Sequence, residues 1–203
     1  MTRRWWFGFL AAFTFSVLAH AEESPAVDDR KSAGAAPSFR VYCDFRCPFC
    51  ERFFTMLYAG EKYLNKHPNI EFKHFPLPNH KGAEDIARFF EAAMLHAPDQ
   101  HDALILDIYR FRDSAHPDDL VPFYKALSTL HKLNFDRISR DMHARAVLDR
   151  VAESKRDSEV QKVEGTPTLF YQGVSIEDLE PEALALFVLE RTPAEPSGGD
   201  APD

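Results

Sequence analysis

The spacing of apolar residues changes several times along the chain, and each change predicts an element. Phe39 to Cys43 is a short, β-prone apolar run, which predicts a buried strand. From Cys47 the period turns helical: Phe53, Phe54, Leu57, Tyr58 and Leu64 recur every three or four residues until His67-Pro68-Asn69 ends the pattern. Ile70 to Phe75 alternates apolar and polar residues, as a half-buried strand does, and Pro76-Leu77-Pro78-Asn79 stops it. From Gly82 to about Val163 the chain is helical throughout. Ile86, Phe89, Phe90, Ala93 and Met94 mark one face, Leu104, Ile108 and Phe111 a second helix, Leu120 to Leu133 a third and Ile138 to Val151 a fourth. Strand character returns at Thr168 to Tyr171, turns at Gln172-Gly173 and resumes at Val174 to Ile176. Pro181 to Glu190 then predicts a closing helix with proline in its first turn.

This order predicts one α/β domain over residues 38–191, with a helical insertion at about 82–163 between the second and third strands. The flanks differ in composition. Met1 to Ala21 has basic Arg3 and Arg4, an apolar stretch and Ala19-His20-Ala21, the layout of a secretory signal. The apolar stretch falls short of the roughly 20 residues of a membrane span, so an uncleaved membrane anchor is the lesser alternative. Residues 22–37 are rich in Ala, Ser, Pro and charge and read as a flexible linker; residues 192–203 read as a disordered tail. With 24 basic against 32 acidic residues and a net charge of −8, the chain lacks the basic balance that nucleic-acid binding requires.

The candidate chemistry lies at the start of the first helix, in Cys47-Pro48-Phe49-Cys50. Cysteines three apart at a helix start share one turn and can close a small disulfide ring. Pro48 suits the first helical position, which makes Cys47 the N-cap and aims free amides and the positive helix end at its sulfur. That placement predicts a Cys47 pKa below the free thiol's and a nucleophilic thiolate, with Cys50 positioned to resolve a mixed disulfide. The same spacing also supplies half of many zinc sites. Together with Cys43, or with His74 or His80, the pair could instead hold Cu(I) or Zn(II). Cys43, Cys47 and Cys50 further spell C-x3-C-x2-C, the cluster signature of radical S-adenosylmethionine enzymes. The long helical block and the proline at the helix start argue against that reading. The histidines at 67, 96, 101, 116, 131 and 143 show no ligand spacing and read mostly as surface residues.

Three motifs in order carry a family likeness: C-x-x-C after the first strand, Phe75-Pro76-Leu77 after the second and Gly165-Thr166-Pro167-Thr168 before the third. With His80, Ala83 and the Ala-rich helix that follows, the chain over about residues 39–190 resembles the DsbA-like branch of the thioredoxin superfamily. The resemblance implies a thioredoxin fold and a cis peptide at Thr166-Pro167 facing the cysteine pair. It also implies a Thr166 backbone that pairs with an extended substrate. Two positions depart from the strongly oxidising members: Phe49 replaces their histidine, and Val41 replaces their buried acid.

The expected function is an exported, periplasmic thiol:disulfide oxidoreductase that uses Cys47 and Cys50 as catalytic residues, Pro48 and Phe49 as the active-site loop, and Thr166 and Pro167 for substrate binding. Oxidation is the favoured direction, and no metal or other cofactor is expected. The expected partners are cysteine-containing substrate proteins and a membrane redox protein that resets the site. A monomer is expected, because the 16-residue linker is too short to be the dimerisation domain of a disulfide isomerase.

Overall fold

The computed structural model describes residues 39–194. The expected signal and linker, and all of the tail beyond Ala194, lie outside the described residues.

The strands fall where the pattern puts them: β1 (Phe39–Cys43), β2 (Ile70–His74), β3 (Thr168–Tyr171) and β4 (Val174–Ile176). They form one sheet in the order β2-β1-β3-β4. β1 runs parallel to β2, from Phe39 opposite Ile70 to Cys43 opposite His74, and antiparallel to β3, with Val41 opposite Leu169. A central strand with both faces covered needs no alternation. Accordingly Val41, Tyr42 and Cys43 are buried in succession.

Helix α1 (Pro48–Leu64) links β1 to β2 and ends where Asn65 takes the left-handed conformation (φ 50°), two residues before the expected His67-Pro68 stop. Asparagine tolerates that geometry and commonly closes a helix there. The insertion comprises α2 (Ala83–Met94), α3 (His101–Arg110), α4 (Val121–Leu130), α5 (Phe135–Asp141) and α6 (Arg145–Val160), and α7 (Pro181–Arg191) follows the sheet. The single helix expected over Ile138 to Val151 is thus two. Asn134 caps α5 by accepting from the Arg137 amide at 3.0 Å, and Ala144 turns to extended backbone before α6. Helix α2 starts at Gly82, whose φ of 80° favours a residue without a Cβ.

An aromatic cluster ties the sheet to the insertion. Phe45, just past β1, lies 5.3 Å from both Phe72 and Phe90 and 5.5 Å from Tyr109, ring centre to ring centre. Such offset and tilted pairs add roughly 1 kcal/mol each beyond burial. A polar clasp does the same on the far side: Tyr42 donates to Asp157 of α6 at 2.7 Å, and Arg40 and Lys73 lie within 4 Å of that carboxylate.

Two expectations about polar residues need correction. His131 is buried rather than at the surface, held by Gln100 at 2.8 Å and Asp107 at 3.0 Å. The start of the expected tail also packs on the domain: Thr192 is buried and donates to the Val188 carbonyl at 2.8 Å, and Ala194 bridges to Lys66.

Candidate active site

The loop from β1 to α1 is anchored at every position. Asp44, buried beside the cysteines, accepts hydrogen bonds from the Arg46 amide (2.6 Å), the Leu77 amide (2.7 Å) and His80 Nδ1 (2.9 Å). Its carbonyl accepts from the Cys47 amide at 3.0 Å and from the Tyr109 hydroxyl at 3.3 Å. Phe45 fills the aromatic cluster, and the Arg46 guanidinium donates to the Ala115 carbonyl. One carboxylate therefore joins the cysteine loop to the loop after β2. Sequence reasoning missed Asp44, Arg46 and Tyr109; the only signal was an acid wedged between an apolar strand and the C-x-x-C motif.

This anchoring fixes Cys47 as the N-cap of α1, with Pro48 at its first position as expected. The three cysteines are unlinked, so the geometry is that of the dithiol form. Cys47 and Cys50 are both buried, at 2% and 0% exposure, whereas Phe49 between them is 49% exposed. The Arg52 guanidinium sits 5.0 Å from the centre of the Phe49 ring. The Thr166-Pro167 bond is cis, and the loop that holds it meets the cysteine pair: Cys47 Sγ donates to the Thr166 carbonyl at 3.3 Å.

Titration of the pair departs from the sequence expectation. The Cys47 sulfur makes no capping hydrogen bond and faces a carbonyl oxygen, an arrangement that favours the protonated thiol. Its pKa is pushed up, first by the Cys50 thiol and then by burial; the Thr166 side chain and the Cys50 amide pull the other way more weakly. Burial pushes Cys50 well above the ordinary thiol range. In such a coupled pair the two protons leave in separate steps, and the second is the harder to remove.

The proposed metal ligands are drawn elsewhere. His74 is buried and bonds to Glu91 at 2.8 Å, and His80 is held by Asp44. Among the described residues no group of three or more His, Cys, Asp or Glu side chains is arranged to hold a metal ion. The four-stranded sheet likewise differs from the repeated strand-helix barrel that the radical-enzyme reading requires.

Comparison with known proteins places this geometry. A family model described as thioredoxin matches residues 32–189. The solved structure of the oxidoreductase DsbA from Xylella fastidiosa superposes with a TM-score of 0.62 at 14% identity, over 78% of this chain and 84% of that one. BdbD from Bacillus subtilis does so with a TM-score of 0.60 at 14% identity, over 78% and 90%. By sequence, the chain is 30% identical over 134 residues to the Na(+)/H(+) antiporter NhaA 1 of Mycolicibacterium vanbaalenii, covering 66% of this chain and 21% of that protein. It therefore spans about a fifth of the length of that relative. With a thioredoxin sheet, cysteines at the first helix and a helical block between β2 and β3, the chain belongs to the thioredoxin family and has the fold of its DsbA-like members.

Proposed function

We propose that this chain is an exported thiol:disulfide oxidoreductase in which Cys47 is the nucleophile, Cys50 the resolving thiol, and Thr166-Pro167 the substrate-binding loop. The observation that carries the reading is the meeting of the C-x-x-C helix start with the Thr166 carbonyl, 3.3 Å from Cys47 Sγ. In the oxidising direction a substrate thiolate attacks Cys47 Sγ of the disulfide, and Cys50 leaves. Burial raises the Cys50 pKa, so the departing sulfur ends as a protonated thiol that takes up the proton the substrate thiol lost; a leaving group of high pKa departs slowly, in keeping with a couple of moderate potential. A second substrate thiolate then attacks the substrate sulfur and displaces Cys47, leaving a dithiol. In the disulfide form Cys47 carries no proton, so the Thr166 carbonyl that accepts from it in the dithiol is free to accept a backbone amide of the extended chain, in the manner of strand addition.

Oxidation remains the proposed direction, at a moderate potential. Neither Phe49 nor Val41 stabilises a thiolate, and the Cys47 proton faces a carbonyl. Structural disulfides of secreted proteins lie below about −300 mV, so a moderate couple can still form them. The reading includes a signal at residues 1–21, a periplasmic location, a monomer and a membrane partner that reoxidises the pair. The antiporter activity for which the sequence relatives are named is not carried over, because the chain spans about a fifth of the matched protein.

The test is oxidation of a dithiol peptide by the oxidised chain. Wild type is expected to form the peptide disulfide and to end as a dithiol, and Cys47→Ser is expected to form none. Equal activity in Cys47→Ser would remove the assignment.

A further inference from the structure

Two groups beside the cysteines take no part in the exchange steps above: the fully buried Asp44 carboxylate and His80, which follows the Phe75-Pro76-Leu77 motif. A buried carboxylate needs hydrogen-bond donors and a compensating charge. Arg46 and Leu77 give Asp44 only their amides, and the Arg46 guanidinium donates to the Ala115 carbonyl instead. His80, with Nδ1 at 2.9 Å, is the one side chain bonded to that carboxylate among the described residues. Because a carboxylate only accepts, Nδ1 carries the hydrogen, and the other ring nitrogen is the one that takes up a second proton. His80 is 22% exposed and lines an open groove of about 430 Å³, so that proton comes from solvent. The charged groups that line the groove with it are Lys81, Glu84 and Asp85 around the start of α2, and Lys155 and Glu159 of α6. Lys81 pairs with Asp118, Lys155 with Glu84 at 2.9 Å and Asp85 with Arg88 at 3.4 Å. His80 thus joins solvent to a buried anion that stands three residues before Cys47, in the turn closed by the Cys47 amide on the Asp44 carbonyl at 3.0 Å.

We propose that His80 is a positioning residue whose charge, acting through Asp44, favours the Cys47 thiolate in acid. This deepens the function proposed above and rests on its assignment of Cys47 as the nucleophile. A fixed negative charge near a thiol opposes its ionisation, and a positive charge beside that anion offsets the effect. With His80 cationic, the Asp44–His80 pair is neutral and Cys47 ionises against no net charge. With His80 neutral, the Asp44 charge stands alone and holds the proton on Cys47. The thiolate of a simple cysteine falls about tenfold for each pH unit below its pKa. Here part of that fall is recovered as His80 takes up its second proton. One unit charge roughly 10 Å away, in a medium of effective dielectric about 20, changes such an equilibrium by about tenfold.

The reduced full chain is alkylated with iodoacetamide between about pH 5 and about pH 8.5. The adduct is located by fragment masses of the tryptic peptide Cys47–Arg52. Plotted as the logarithm of rate against pH, wild type is expected to climb, flatten and climb again. His80→Asn keeps a side-chain donor for Asp44 but takes up no charge. It is expected to climb in one straight line, about tenfold below wild type in acid and level with it in alkali. The His80 ring of wild type, followed by NMR, is expected to titrate where the flattening begins, which ties the break to this residue even where the variant does not fold. A straight wild-type profile, a constant ratio between the two proteins, or a His80 midpoint away from the break overturns the inference. Alkylation of Cys50 in place of Cys47 removes the nucleophile of the proposed function instead, so the two failures are distinct.

Discussion

Cys47 Sγ lies 3.3 Å from the Thr166 carbonyl oxygen, and 119 positions separate the two residues in the chain. The contact joins the start of α1 to the loop before β3 and gives the Cys47 proton an acceptor. It sets the two cysteines apart: Cys47 meets the cis-proline loop, and Cys50 is fully buried.

That division predicts different outcomes for two substitutions. Cys47→Ser is expected to abolish exchange with little change in stability, since the replaced group donates one hydrogen bond that a hydroxyl can also donate. Cys50→Ser is expected to retain attack but lose resolution, so a mixed disulfide between Cys47 and substrate accumulates. Non-reducing mass spectrometry after incubation with a disulfide substrate checks both; an adduct in Cys47→Ser would reverse the assignment.

Asp44 is the second control point, because it binds two backbone amides and His80 at once. Asp44→Ala leaves those amides without their acceptor and is expected to cost about 3 kcal/mol, at roughly 1–3 kcal/mol for each group orphaned. Urea unfolding measures the loss. Asp44→Asn, with one carbonyl oxygen in place of two, is expected to fall between wild type and alanine.

Phe49 leaves the cysteine pair without a cation between its members. Phe49→His supplies a donor to the Cys47 thiolate, which stabilises the reduced form and makes the couple more oxidising. The expected rise in reduction potential is about 30 mV or more, a tenfold change in the exchange equilibrium. An unchanged potential would show that the intervening side chain does not reach the sulfur.

Glu61 gives the fold a pH dependence of its own. Burial first, and the Asp102 carboxylate second, push its pKa up to about 7. An unfolded glutamate titrates near about 4.3, so between those values the folded chain holds the extra proton. Stability therefore falls as pH rises from about 4.3 through 7. Solvent screening at this partly exposed group limits the effect to about 1 kcal/mol. Glu61→Gln is expected to remove that part of the slope, read as the difference in urea midpoint from wild type at about pH 5 and pH 8.

Much of this architecture is legible in the sequence, for reasons that differ by element. The strands and α1 show because burial imposes a period, and the C-x-x-C motif shows because its chemistry needs fixed spacing. The break between α5 and α6 is hidden because Ile138, Met142 and Val147 are all buried, so the apolar pattern continues across it. His74 was legible in principle: it holds an apolar position in the alternation of β2, and its burial is satisfied by Glu91. Asp44 was not, since its Leu77 and His80 partners lie 33 and 36 residues away. The approach of Thr166 to Cys47 came only through family likeness, because no local pattern encodes a contact between distant loops.

The central claim is that Cys47 and Cys50 form a redox couple of moderate potential, and its direct measurement is equilibration of the full chain with glutathione buffers. The fraction oxidised is read by mass spectrometry that locates the disulfide. The account predicts a Cys47–Cys50 disulfide with a potential between the about −120 mV of a strong oxidant and the about −270 mV of thioredoxin. A value at about −120 mV would contradict the reading of an unstabilised thiolate, and failure to form the disulfide would contradict the proposed function itself.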